Sequence, residues 1–126
     1  MDFFKLIITG TSQSVKAAIN KGAKVNARDE NGWTPPMCAA AFNQNPEVIT
    51  TLLKAGANIN AQNELAPCMT ALIWAAVNNQ NPEVIMRLLK AGADAKVKNS
   101  AGKTAFDCAH RLKGTDVYKK LEDASK

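Results

Sequence analysis

The seven-residue phrase NQNPEVI stands at Asn43–Ile49 and again, letter for letter, at Asn79–Ile85. Extending the comparison gives NQNPEVITTLLKAGANINAQN against NQNPEVIMRLLKAGADAKVKN, which agree at 14 of 21 positions with an offset of 36 residues. Self-similarity at a period of a few tens of residues means stacked supersecondary units, each unable to bury its apolar face alone. The content of one unit therefore constrains the whole chain.

Within the phrase, Asn45-Pro46-Glu47 is a helix start. It combines an N-cap acceptor, a proline whose missing N–H costs nothing at the first helical position, and a carboxylate at the positive end of the dipole. Val48, Ile49, Leu52 and Leu53 then recur at helical spacing as one apolar stripe, Lys54 falls in the last turn, and Gly56 supplies a left-handed stop. Val84, Ile85, Leu88, Leu89, Lys90 and Gly92 repeat the pattern. Upstream of each lies a shorter, alanine-rich segment, TPPMCAAAF from Thr34 and TALIWAAV from Thr70, whose small residues permit close helix approach. The intervening polar run, such as AKVNARDENGW with its Asn31-Gly32 pair, reads as a hairpin turn. The unit is turn, helix, helix.

These residues resemble the ankyrin repeat, with its T-P-L-H-x-A signature and period of about 33. Asp29, Gly32, Thr34, Pro35, Ala39 and Ala40 match its first half, and Leu52, Leu53, Gly56, Ala57, Asn58 and Asn60 its second. Thr34, Thr70 and Thr104 mark three starts, and Gly22, Gly56 and Gly92 three stops. The resemblance implies an all-α solenoid of one domain over residues 1–126: a capping unit 1–26, full units 27–60 and 61–96, and a capping unit 97–126, each a helix pair. Phe3, Leu6, Ile7, Val15, Ala18 and Ile19 supply the first cap's stripes, and Phe106, Val117 and Leu121 those of the last. Several positions depart from the family pattern. Pro36 stands for the usual Leu, Met37, Ile73 and Asp107 stand for the usual His, and one residue is added between the helices of both full units. The turn region from Gly56 to Thr70 is two residues longer than its neighbours and lacks their glycine.

Catalytic and metal chemistry finds no foothold. Gly102-Lys103-Thr104 imitates the end of a phosphate loop, but Val97 occupies the position of its first glycine. With Gly32 as the sixth residue of a calcium loop, Ala27 and Cys38 would have to replace carboxylates. His110 is the only histidine and reads as a packing or capping residue. Cys38 and Cys108 fall at the same place in their units as Trp74, a buried position, and lie too far apart to be bridged; Cys68 sits in the irregular turn without a second ligand nearby. We expect no catalytic, cofactor-binding or metal-binding residue.

No apolar run approaches the ~20 residues of a membrane span. The start, MDFFKLIITG, lacks the basic-then-apolar order of a secretory signal. A cytoplasmic chain is expected, with export as an effector as the alternative. Sixteen Lys and Arg against 11 Asp and Glu leave +5, a weak pointer to an anionic partner.

The resemblance implies a non-catalytic module that grips a protein partner with the hairpin tips and the concave face of the first helices. Position by position this gives Glu30, Asn31 and Trp33 on the first full tip, Phe42 at the end of its first helix, and Val77 and Asn78 in the next. The long turn adds Glu64, Leu65 and Met69 as an apolar tip with Ala66 and Pro67, and Lys98, Lys103 and Arg111 complete the row. Trp33 and Phe42 are the expected anchors. The competing reading is binding of nucleic acid or another anionic surface by a basic edge of Arg28, Lys98, Lys103 and Arg111, disfavoured because no aromatic residues interleave with the basic ones. A monomer is expected, with weak self-association as the alternative.

Overall fold

A computed structural model describes residues 2–65 and 67–126. Among these described residues seven α-helices follow in order: α1 Phe3–Thr9, α2 Ser12–Asn20, α3 Pro35–Phe42, α4 Pro46–Lys54, α5 Ala71–Asn78, α6 Pro82–Lys90 and α7 Asp116–Ala124, with a 3-10 helix at His110–Leu112. No strand occurs among the described residues. Helices α1, α3 and α5 pack on one another in one row, and α2, α4 and α6 in a second, which α7 continues.

Local chemistry accounts for the helices where the sequence places them. The Asn45 side chain accepts from Glu47 N at 3.0 Å, and Asn81 does the same for Glu83. Gly56 closes α4 by donating to Leu53 O while Ala57 N donates to Leu52 O, both at 3.1 Å, and Gly92 and Ala93 repeat the pair on α6. These paired bonds satisfy carbonyls that the helix end would otherwise leave orphaned. The stripes Val48, Ile49 and Leu52, and Val84, Ile85 and Leu88, are completely buried between the two rows. Ala39, Ala40, Ala71, Ala75 and Ala76 are buried in the first row, where the absence of longer side chains lets α3 and α5 lie close together.

Hydrogen bonds between units fix how each sits on the one before. Asn43 Nδ2 donates to Ile7 O at 2.9 Å and Gly10 O at 3.1 Å, and Asn79 Nδ2 donates to Ala40 O at 2.8 Å and Asn43 O at 2.9 Å. Each asparagine also accepts through Oδ1 from the backbone two residues ahead, Asn45 N and Asn81 N. The extra residue between the helices of the full units thus lies in a loop whose first asparagine is buried and bonded to its neighbour. In the last unit Arg111 takes this role, donating from Nη2 to Ala75 O at 2.9 Å and to Asn79 O.

The last unit departs from the expected helix pair. After Thr104 the chain makes one turn, breaks at Ala109 and continues as the short 3-10 helix, so only its second helix, α7, forms. A short helix gains little from propensity alone and depends on packing. The cap Thr104 keeps its reciprocal bonds with Asp107, which stands at the position of the family's His: Thr104 N donates to Asp107 Oδ2 at 3.0 Å and Asp107 N to Thr104 Oγ1 at 3.2 Å. At the start of α3, by contrast, Thr34 Oγ1 is buried without a partner, ahead of the two prolines Pro35 and Pro36.

Candidate partner-binding surface

The turns preceding α3 and following α6 are tied by one residue each. Asp29 Oδ1 accepts from Asn31 N and Trp33 N, both at 2.9 Å, and Asn99 Oδ1 accepts from Ala101 N and Lys103 N at 2.9 and 3.0 Å. Backbone bonds from Asp29 to Trp33 and from Asn99 to Lys103 close the two hairpins. The middle turn is built differently. Asn63 N donates to Met69 O at 3.1 Å, and Cys68 occupies the left-handed conformation, φ 60°, that Gly32 and Gly102 occupy in the flanking turns.

Trp33 does not project from its tip. Its ring lies between those of Phe42, 5.5 Å away and 15° from parallel, and Trp74, 4.3 Å away and 28° from parallel. Stacked pairs of this kind add about 0.5–1.5 kcal/mol beyond their buried area. Trp74 Nε1 donates to Asn63 Oδ1 at 3.4 Å, which ties the stack to the middle turn. The stack holds Phe42 in place and leaves it 45% exposed at the end of α3, where Asn78 Nδ2 donates to Ala41 O at 2.9 Å and joins that end to the end of α5. Val77, 42% exposed, stands at this junction. Leu65, 60% exposed, is the third large apolar side chain so presented among the described residues.

The other expected site residues divide into free and engaged groups. Glu30, Asn31, Lys98 and Lys103 are exposed at the outer turns, and Glu64 is exposed with Oε1 4.0 Å from Arg28 Nε. Asn78 is exposed but commits its amide to Ala41. Met69 corrects the expected apolar tip: it is only 4% exposed, folds back into the core, and its Sδ lies 3.4 Å from Asn99 Nδ2. Pro67 O accepts from Ser100 N at 2.8 Å, so the long turn leans on the next hairpin. Ala66, expected in the same tip, lies outside the described residues.

Arg28 and Arg111 were expected on a basic edge. Arg28 Nη1 instead donates to Gly32 O and Gln62 O, each at 3.0 Å, and Arg111 bonds carbonyls at the end of α5. Two of the four basic groups are thereby occupied within the fold. Trp74, read from the sequence as a packing position only, is the member of the aromatic stack that sequence reasoning missed. Its place four residues after Thr70, beside Trp33 one residue before Thr34, was the available signal.

Burial, with Asp29 and Asp2 adding to it, pushes the Cys38 thiol up to about 12, so it stays protonated and unreactive at neutral pH. Burial and then Asp107 also push the half-buried Cys108 thiol up. Cys68 is half-buried, and none of the three is in a disulfide.

The family model described as Ankyrin repeats (3 copies) matches residues 3–63, and the one described as Ankyrin repeat matches residues 68–100. The chain is 43% identical over 54 residues to the mitochondrial disaggregase of Bos taurus, covering 43% of this chain and 8% of that protein. It is 40% identical over 58 residues to ankyrin repeat, SAM and basic leucine zipper domain-containing protein 1 of Carollia perspicillata, covering 46% of this chain and 12% of that protein. It is 33% identical over 58 residues to protein phosphatase 1 regulatory subunit 27 of Mus musculus, covering 46% of this chain and 37% of that protein. The similarity therefore spans well under half the length of each of these relatives.

Proposed function

The chain belongs to the ankyrin-repeat family, and on that premise we propose that it is a non-catalytic adaptor that grips one protein partner through its hairpin tips and the concave face of the first-row helices. Ankyrin repeats are protein–protein interaction modules. The observation that carries the finer reading is the exposure of Phe42 and Val77 at the joined ends of α3 and α5, with Phe42 braced by Trp33 and Trp74. A large ring held rigid before binding costs little entropy to immobilise, which is what an interface anchor requires. Leu65 at the long turn extends the apolar surface, and Glu30, Asn31, Glu64, Lys98 and Lys103 supply a polar rim. A partner spanning this row covers roughly 600–900 Å² per side, an ordinary specific interface.

A regulatory subunit among the relatives agrees with a role exercised through another protein. The three free cysteines support a cytoplasmic setting. Among the described residues no helix is long and apolar enough to cross a membrane.

The test is capture of partners from the native cell by the wild type and by a Phe42→Asp, Val77→Asp variant. Both positions are substantially exposed, so the variant should stay folded, with its melting temperature lowered by the loss of the Phe42–Trp33 stack. The reading expects specific partners to be lost from the variant. An identical set retained by a folded variant removes this surface from the interface.

A further inference from the structure

The second row of helices carries a feature that the proposed binding surface does not use. Between α2 and α4 lies a cleft of about 310 Å³ whose walls include Lys16, Ile19, Thr50 and Lys54, and between α4 and α6 lies another of about 350 Å³ whose walls include Leu53, Arg87, Lys90 and Ala91. The two share Thr50 and Lys54, which stand on α4 between them, so the compartments lie side by side across three helices. Each compartment is at the lower limit of about 300 Å³ for a small-molecule site, and both open to solvent; they fit the side chains of a bound segment better than an enclosed ligand.

The charge of the groove is one-sided. Lys16, Lys54 and Lys90 are exposed, one on each helix, and none is in an ion pair among the described residues. Glu47 also lines the first compartment, but its Oε1 is 2.8 Å from Arg87 Nη1, which also donates to Thr50 Oγ1 at 2.6 Å. That pair cancels the one acidic group and fixes Arg87 as a wall between α6 and α4. Attraction to the helix dipole accounts for Lys54 and Lys90, both in last turns, but not for Lys16 in the middle of α2. Lys54 and Lys90 end adjacent helices that pack about 8–10 Å apart, Lys16 stands mid-helix on α2, and Ile19, Leu53 and Ala91 contribute apolar surface to the lining.

We propose that this groove is a second docking site, for an acidic protein segment whose aliphatic side chains enter the two compartments while its carboxylates meet Lys16, Lys54 and Lys90. Charge complementarity selects the acidic class, and the apolar lining selects a peptide over a nucleic-acid backbone, whose phosphates and oxygen-rich sugars offer no aliphatic side chains to place there. The site lies on α2, α4 and α6, so it stands or falls separately from the surface at Phe42 and Val77.

The test measures fluorescence anisotropy of a short labelled peptide of interspersed glutamates and leucines, with amide shift mapping of Thr50 and Leu53. Wild type and the Phe42→Asp variant should bind the peptide equally and show shifts at both amides. A Lys16→Gln, Lys54→Gln, Lys90→Gln variant should bind it roughly tenfold more weakly, the combined effect of three exposed ion pairs. A Lys119→Gln, Lys120→Gln variant, which removes charge from α7 instead, should bind as wild type does. Equal weakening by the α7 variant, unchanged binding by the folded triple variant, or tighter binding of a duplex oligonucleotide than of the peptide overturns the proposal.

Discussion

Asn79 Nδ2 lies 2.9 Å from Asn43 O, a bond between the same residue of the repeated phrase in two successive units. Asn79 is 1% exposed and Asn43 7%, so both are polar groups held in the interior by complete hydrogen bonding. This contact explains the first letter of NQNPEVI as the second asparagine's cap explains the third. One residue joins the units, the other starts the helix.

Asn79→Ala should destabilise the fold by about 2–4 kcal/mol, because it strands the buried carbonyls of Ala40 and Asn43 and also removes the acceptor of Asn81 N. Denaturant unfolding of the purified variant measures this. A loss below half a kcal/mol, against the ~1 kcal/mol of a single ordinary hydrogen bond, shows that the rung does not bind the units together.

Arg111 offers a related expectation at the other end of the stack. Its guanidinium bonds Ala75 O and Asn79 O, so Arg111→Ala should cost about 1–2 kcal/mol and speed amide exchange in the last unit more than in the first. Arg111→Lys should recover only part, since an ammonium lacks the fork that reaches two carbonyls. Uniform acceleration of exchange along the whole chain contradicts a local role.

Much of this fold was legible because helix signals are local. Asn45-Pro46-Glu47, the stripe from Val48 to Leu53 and the stop at Gly56 each act within a turn or two, and the structure puts α4 where they point. The buried asparagines were not legible, since an asparagine ahead of a helix looks like any exposed loop residue until the neighbouring unit's carbonyls are in place. The same holds for Arg111, expected on an open edge, and for Met69, whose direction depends on Asn99 thirty residues away. The segment after Thr104 carried the start signal of its predecessors, but the packing that completes such a helix lies outside the segment itself. On the proposed binding surface, the exposure of Phe42 and Val77 was legible from their register on the repeat, whereas the stack that braces Phe42 required Trp33 and Trp74 to be seen side by side.

The lost turn glycine also becomes measurable. Cys68 holds φ 60°, a conformation that costs an ordinary L-residue about 1 kcal/mol or more. Cys68→Gly should therefore raise stability by up to about 1 kcal/mol, read as a higher denaturation midpoint with unchanged slope. A drop of similar size shows that the thiol's packing matters more than the backbone.

Asp107 gives an expectation for pH. The Thr104 N–H holds its carboxyl below the ordinary 3.8, with Thr104's side chain, Lys103 and Lys98 assisting against a smaller opposing effect of burial. A depressed folded pKa means stability that is present above the unfolded value and lost as pH falls through the folded one. Wild type should accordingly lose stability faster below about pH 5 than Asp107→Asn does, by a modest amount because the group is partly in solvent. Parallel acid unfolding curves for the two proteins contradict this.

The most direct measurement of the central claim is photo-cross-linking in the native cell, with a benzophenone side chain placed at Phe42 in one variant and at Lys119 on α7 in another. The account predicts a discrete cross-linked protein from position 42 and none from position 119. Labelling of the same proteins from both positions, or a discrete product from 119 alone, contradicts it.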